Sequence, residues 1–103
     1  MVADATAPAE PLTLVLPAAL THAQARASLD MLLQGLRAHR GPAMAVVADA
    51  TALVAFDSSA LAVLLECRRE ALAQGHRFSV KGLPPDLGNL AKLYGVGALL
   101  ASA

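Results

Sequence analysis

Tryptophan is missing from this chain of 103 residues, aromatic residues make up only 3% of it, and there is one cysteine, Cys67. Scarce aromatics leave few stacking platforms for nucleic-acid bases. The formal net charge is zero and the pI is near 6.8, so the basic footprint of a nucleic-acid binder is absent too. A single cysteine excludes an internal disulfide and suits a reducing compartment, where Cys67 reads as a small apolar helix residue. No segment approaches the ~18 consecutive apolar residues of a membrane span. The start of the chain lacks a basic stretch followed by an apolar run, so no signal peptide is expected. Together these absences point to a cytoplasmic protein whose contact with any membrane is indirect, through a partner.

Motifs for chemistry are equally sparse. Neither the Lys-containing phosphate loop nor GxGxxG occurs, and Gly95-Val96-Gly97 reads as a helix stop. His22, His39 and His76 lie apart at helix ends or in loops, show no ligand spacing with Cys67 or a carboxylate, and read as surface histidines. Ser58 and Ser59 have no elbow glycine beside them and no nominated His–Asp pair. Neither catalysis nor a bound metal or cofactor is expected.

What the chain does have is 56% hydrophobic residues, mainly alanine, leucine and valine, enough for one domain with a working core. A neutral, apolar small domain of this kind suits association with another protein. Residues 1–10, Ala-rich with Pro8 and two acids, read as a loose leader; residues 11–103 form the domain. Leu12–Leu16 reads as a strand closed by Pro17. Thr21 opens a helix with Gln24 in the capping-box position. Ala25, Leu29, Leu32, Leu33 and Leu36 give that helix one buried stripe. Arg37, His39 and Arg40 gather at its end, before Gly41-Pro42. Ala43–Ala48 is a continuous apolar run suited to a strand covered on both faces. Val54 and Phe56 sit in a short extended connector. A second helix is expected from near Ser59 to Gln74, stopped by Gly75. Arg77–Lys81 alternates as a strand, and Pro85 and Asp86 start a last helix that Gly95 ends. Strands alternating with helices argue for an α/β domain around a mainly parallel sheet.

The most informative stretch is Val54-Ala55-Phe56-Asp57-Ser58-Ser59-Ala60-Leu61, where two hydroxyls follow an acid at a helix start. Such a serine can cap the helix, accept a phosphate or be read by a docking protein. The capping role falls to Ser58 or Ser59 on a purely local reading. Asp49 reads as a turn at a strand end and Asp57 as part of a helix cap, and the pair would put a negative collar near the serines. In the second helix the buried stripe is centred on Ala60, Leu64, Cys67 and Ala71, with Leu61 at its edge. Leu65 and Leu72 then fall beside Arg68 and Arg69 on the outer flank, a mixture that resembles a contact surface.

Ala43–Ala48 followed by Asp49, and then Phe56-Asp57-Ser58-Ser59-Ala60-Leu61 opening a helix, resembles the STAS domain of anti-sigma-factor antagonists and sulfate-transporter tails. Arg69–His76, Lys81-Gly82-Leu83-Pro84 and Leu90-Ala91-Lys92-Leu93-Tyr94-Gly95-Val96 are similar to the MlaB-type branch, the small STAS subunits of phospholipid ABC transporters. The resemblance implies a central, mixed but mainly parallel four-stranded sheet with flanking helices. It implies a non-enzymatic adaptor that binds the transporter's ATPase subunit, with no cofactor. Ser58 takes the position that is phosphorylated in the antagonists, with Asp57, Ser59, Leu65 and Arg68 as the surrounding surface. The alternative it implies is an anti-sigma-factor antagonist switched by a serine kinase at Ser58. Ala60 stands where the family usually has glycine, so its methyl is expected to narrow the approach of a partner's backbone.

Overall fold

The computed structural model describes residues 11–39 and 41–102; the expected leader 1–10, Arg40 and Ala103 lie outside them. The first strand, β1, is Leu12–Val15, and the two-residue β2 is Ala19–Leu20. Helix α1 follows as His22–Ala38, then β3 as Ala45–Asp49 and β4 as Ala55–Phe56. Helix α2 is Ser58–Ala73, β5 is Arg77–Lys81 and α3 is Pro85–Leu93. A single 3₁₀ turn, Gly97–Leu99, precedes the chain end.

The strands form a three-stranded sheet in the order β1-β3-β5 and a separate pair, β2-β4, and every one of these pairings is parallel. The four-stranded expectation therefore resolves, among the described residues, into three strands plus a short second pair. The split has a local cause. Leu16 still donates to the Asp49 carbonyl at 2.9 Å, but Pro17 after it has no N–H to donate, so the chain leaves the main sheet. Ala18 then accepts the N–H groups of Val54 and Ala55 at 2.8 and 3.0 Å, which starts the β2-β4 pair. At the far edge, Val80 donates to the Ala101 carbonyl at 2.9 Å, so the chain end covers part of β5.

Register explains which face is buried. Leu14, Ala48 and Val80 are aligned and all buried, whereas Thr13, Val47 and Ser79, aligned one residue earlier, are not. The crossovers β1-α1-β3 and β3-α2-β5 advance in the same direction across the sheet, and with the one hand that parallel crossovers favour this puts α1 and α2 on a single face, where they pack on each other. Hence Ala45–Asp49 is buried only at alternate positions, Val46 and Ala48, and not on both faces as its apolar run suggested.

Under the helices, Leu16, Leu20, Leu36, Leu64, Leu87, Val46 and Cys67 are almost fully buried. Each buried leucine contributes about 1.5–3 kcal/mol of burial free energy. In α1 the buried face is Ser28, Leu32 and Leu36, with Ala25, Leu29 and Leu33 partly covered. In α2 it is Ala60, Leu61, Val63, Leu64, Cys67 and Ala71, the stripe inferred from the sequence with Val63 added. Burial pushes the Cys67 thiol up to about 12, in keeping with its packing role. No helix among the described residues is long and apolar enough to cross a membrane.

Candidate functional site

The tip of α2 is built by one carboxylate. Asp57 is the N-cap, in extended conformation, and its Oδ1 accepts the Ser59 N–H at 2.8 Å. Its Oδ2 accepts the N–H of His22, the first residue of α1, at 3.1 Å. These bonds, the one from His22 foremost and the one from Ser59 next, hold the Asp57 carboxyl below the usual carboxylate range. The capping role that the sequence offered to Ser58 or Ser59 is therefore taken by Asp57. Its side chain is one atom longer than serine's and has two acceptor oxygens, so it can serve both helix starts at once.

Freed from capping, Ser58 is the first helical residue. It is exposed, and its hydroxyl enters no hydrogen bond among the described residues. Ser59, the second helical residue, is half-buried and lines a groove of about 400 Å³ between α1 and α2. His22 and Arg26 face it from α1, and Ala62, Val63 and Glu66 from α2. Sequence reasoning nominated nothing from α1 here. His22 and Arg26 carry no motif, and only the packing of the two helices brings them to Ser59.

The structure places the remaining nominated residues elsewhere. Leu65 is half-buried and packs on the core; Arg68 is half-buried. At about 100° per residue, Arg68 falls opposite Ser59 on α2, with Leu65 and Leu72 about 120° and 140° from it. Glu70 shows which side is α1's, because its Oε1 accepts from Arg37 of α1 at 3.1 Å. Asp57, Ser58 and Ser59 thus share the tip, while Leu65 and Arg68 belong to the far flank with Leu72, which is 45% exposed. Ala60 is fully buried, so its methyl packs into the core and does not face a partner, contrary to the expectation from the family pattern.

Asp49 is a turn residue. Its Oδ1 accepts the Thr51 hydroxyl at 2.6 Å and the Thr51 N–H at 3.0 Å, and these two bonds hold its carboxyl low. The loop after it is confined by Gly82, whose φ is +69° and which lies directly against Thr51.

At the opposite end of the helices lies a polar cavity of about 430 Å³ lined by Arg37, His39, Gly41, Glu70, Gln74 and His76. His76 is only 3% exposed, so the surface reading of that histidine is corrected. Its Nδ1 accepts the Met44 N–H at 3.2 Å, which pins the segment before β5 to the segment before β3. His39 and His76, far apart in sequence, meet at this cavity. Even so, no group of three or more metal-ligating side chains forms among the described residues.

The family model described as "Mlab, STAS domain" matches residues 3–101. Among solved structures, an anti-sigma-factor antagonist (STAS) domain protein from Planctomyces limnophilus superposes with a TM-score of 0.73. That alignment covers 87% of this chain and 79% of the other at 13% sequence identity. A protein from Thermotoga maritima, assigned as an anti-sigma factor antagonist, gives a TM-score of 0.71 over 87% of this chain and 77% of its own, also at 13% identity. At such identity the likeness is one of fold. No curated protein matches the chain in sequence.

Proposed function

This chain belongs to the Mlab STAS-domain family, and from that premise we propose that it is a non-enzymatic regulatory subunit of a phospholipid-transport ABC complex. It docks on the ATPase subunit from the cytoplasmic side and biases the ATPase between conformations. The family membership and the resemblance of Leu90–Val96 to the MlaB-type branch support that choice of partner.

The observation that carries the reading is the division of labour between Asp57 and Ser58. Asp57 satisfies the helix start, and Ser58 is left exposed with an uncommitted hydroxyl. A docking residue needs that freedom, since a hydroxyl already spent on capping has less to offer a partner. Asp57 and Ser59 flank it at the tip. Leu65 and Arg68 extend the surface along the far flank of α2. The mechanism requires only that contacts at the tip be stronger in one state of the ATPase than in the other. It needs no reaction on this chain, and neither cofactor, metal, nucleic acid nor membrane insertion enters it.

Ser58→Asp tests the reading. A charge placed in a desolvated contact is costly, so affinity for the ATPase subunit is expected to fall at least about tenfold, equivalent to about 1.4 kcal/mol. Unchanged affinity in a calorimetric titration contradicts the site.

The two solved neighbours favour a second reading, an anti-sigma-factor antagonist. In that reading Ser58 is a kinase substrate, and its phosphate adds roughly −1.5 to −2 charge at the helix start. Phosphate found on Ser58 in protein from its native cell, with a serine kinase and a sigma factor as genomic neighbours, would select this reading over the first.

A further inference from the structure

Asp57 holds the first turn of α2, which carries Ser58, through the N–H of Ser59, and half of what holds Asp57 comes from another helix. Each carboxylate oxygen has its own helix start, Oδ1 that of α2 and Oδ2 that of α1, across 35 residues of sequence. With one helix on each oxygen, the carboxylate cannot turn without breaking one of the two bonds.

The donor on α1 is available for a specific reason. Thr21 caps that helix through its own side chain and carbonyl. Its Oγ1 accepts the Ala23 N–H at 3.4 Å, and its carbonyl accepts those of Gln24 and Ala25 at 3.0 Å each. Gln24 completes the capping box by accepting the Thr21 N–H at 2.9 Å. The His22 N–H is the one donor of this first turn that leaves its own helix, and it goes to Asp57. The side chains agree with this backbone link, because His22 and Ser59 line the same groove.

We infer that the docking tip is a two-helix unit in which His22, through its peptide N–H, is a positioning residue: α1 fixes Asp57, and Asp57 fixes Ser58. This rests on the docking reading and extends it from α2 to a second helix. A shift of α1 against α2 then displaces Ser58, so the affinity of the tip depends on how the two helices are packed.

The test separates the peptide N–H of His22 from its side chain. Proline suits the first helical position and has no N–H, so His22→Pro keeps the helix start and removes the bond to Asp57 together with the imidazole. His22→Ala keeps the bond and removes the imidazole. Affinity for the ATPase subunit of the phospholipid transporter is measured for both, with thermal unfolding in parallel and Ser58→Asp as reference. His22→Pro is expected to weaken binding about fivefold, within the range of couplings that act through a neighbouring element, with His22→Ala at wild-type affinity. Asp57→Asn provides a second route should the proline variant fold poorly. Its amide oxygen still caps Ser59, but its NH₂ faces the His22 N–H, and a similar loss is expected. A purely structural tie would lower the unfolding temperature and leave the affinity of the folded protein unchanged. If Ser58→Asp weakens binding while His22→Pro and Asp57→Asn bind normally, the inference is overturned and the docking reading stands. If Ser58→Asp also binds normally, the docking reading fails and takes the inference with it.

Discussion

Asp57 and Ser58 are neighbours in the chain with opposite commitments, and two further acids are as fully committed as Asp57. Asp57 serves two helix starts, Asp49 holds the Thr51 turn, and Glu70 accepts from Arg37 and Gln74. All three carboxyls sit below their ordinary values because of these hydrogen bonds: from His22 and Ser59 for Asp57, from Thr51 for Asp49, and from Arg37 and then Gln74 for Glu70. A carboxyl lowered by folding contributes stability that is fully present above its unfolded value of about 4. That contribution is lost as the pH falls through the folded value. The share of stability that these carboxyls supply is therefore expected to hold from pH 7 to about pH 5, and urea midpoints are expected to fall in more acidic buffer. Asp57→Asn and Asp49→Asn should each reduce the difference between pH 6 and pH 3. A wild-type slope retained in both variants would assign the acid sensitivity to other groups.

At the scale of elements, the helices and strands were legible in the sequence wherever a local rule is strong. Thr21 and Gln24 announced α1, Pro85 announced α3, and the alternation of Arg77–Lys81 announced β5. The two-residue strands Ala19–Leu20 and Ala55–Phe56 were not readable as a pair, because their pairing depends on Ala18 meeting Val54 and Ala55 across more than thirty residues. The candidate site divides in the same way. Ser58 was visible as a hydroxyl at a helix start and Ala60 as part of the buried stripe, whereas the bond from His22 and the burial of His76 are tertiary facts with no local signature. Glycines give a further test at this scale. Gly75, at φ +82°, faces open space, whereas Gly82, at φ +69°, lies against Thr51. Gly75→Ala incurs the left-handed penalty alone, about 1–2 kcal/mol. Gly82→Ala adds overpacking of about 1–3 kcal/mol and displaces the loop that leads to Asp57. Denaturation should rank Gly82→Ala well below Gly75→Ala, and equal losses would mean that the Thr51 contact yields freely.

Across the whole molecule the sheet supplies a rigid floor, and two helices stand on one face of it with their starts tied at Asp57 and their ends tied by Arg37 and Glu70. That end pair is largely exposed and contributes little, about 0–1 kcal/mol. Alignment of the helices thus depends more on the buried contacts of Leu32, Leu36, Leu64 and Cys67 than on surface charge. Such an architecture suits a part that acts by being held in place, presenting a stiff tip to a larger machine. The central claim is that the partner meets the molecule at Ser58, and a structure of the complex with the transporter ATPase tests it most directly. The account predicts the Ser58 side chain within contact distance, about 4 Å, of the ATPase and withdrawn from solvent. A complex in which Ser58 remains open to water while the ATPase grips another face would contradict it.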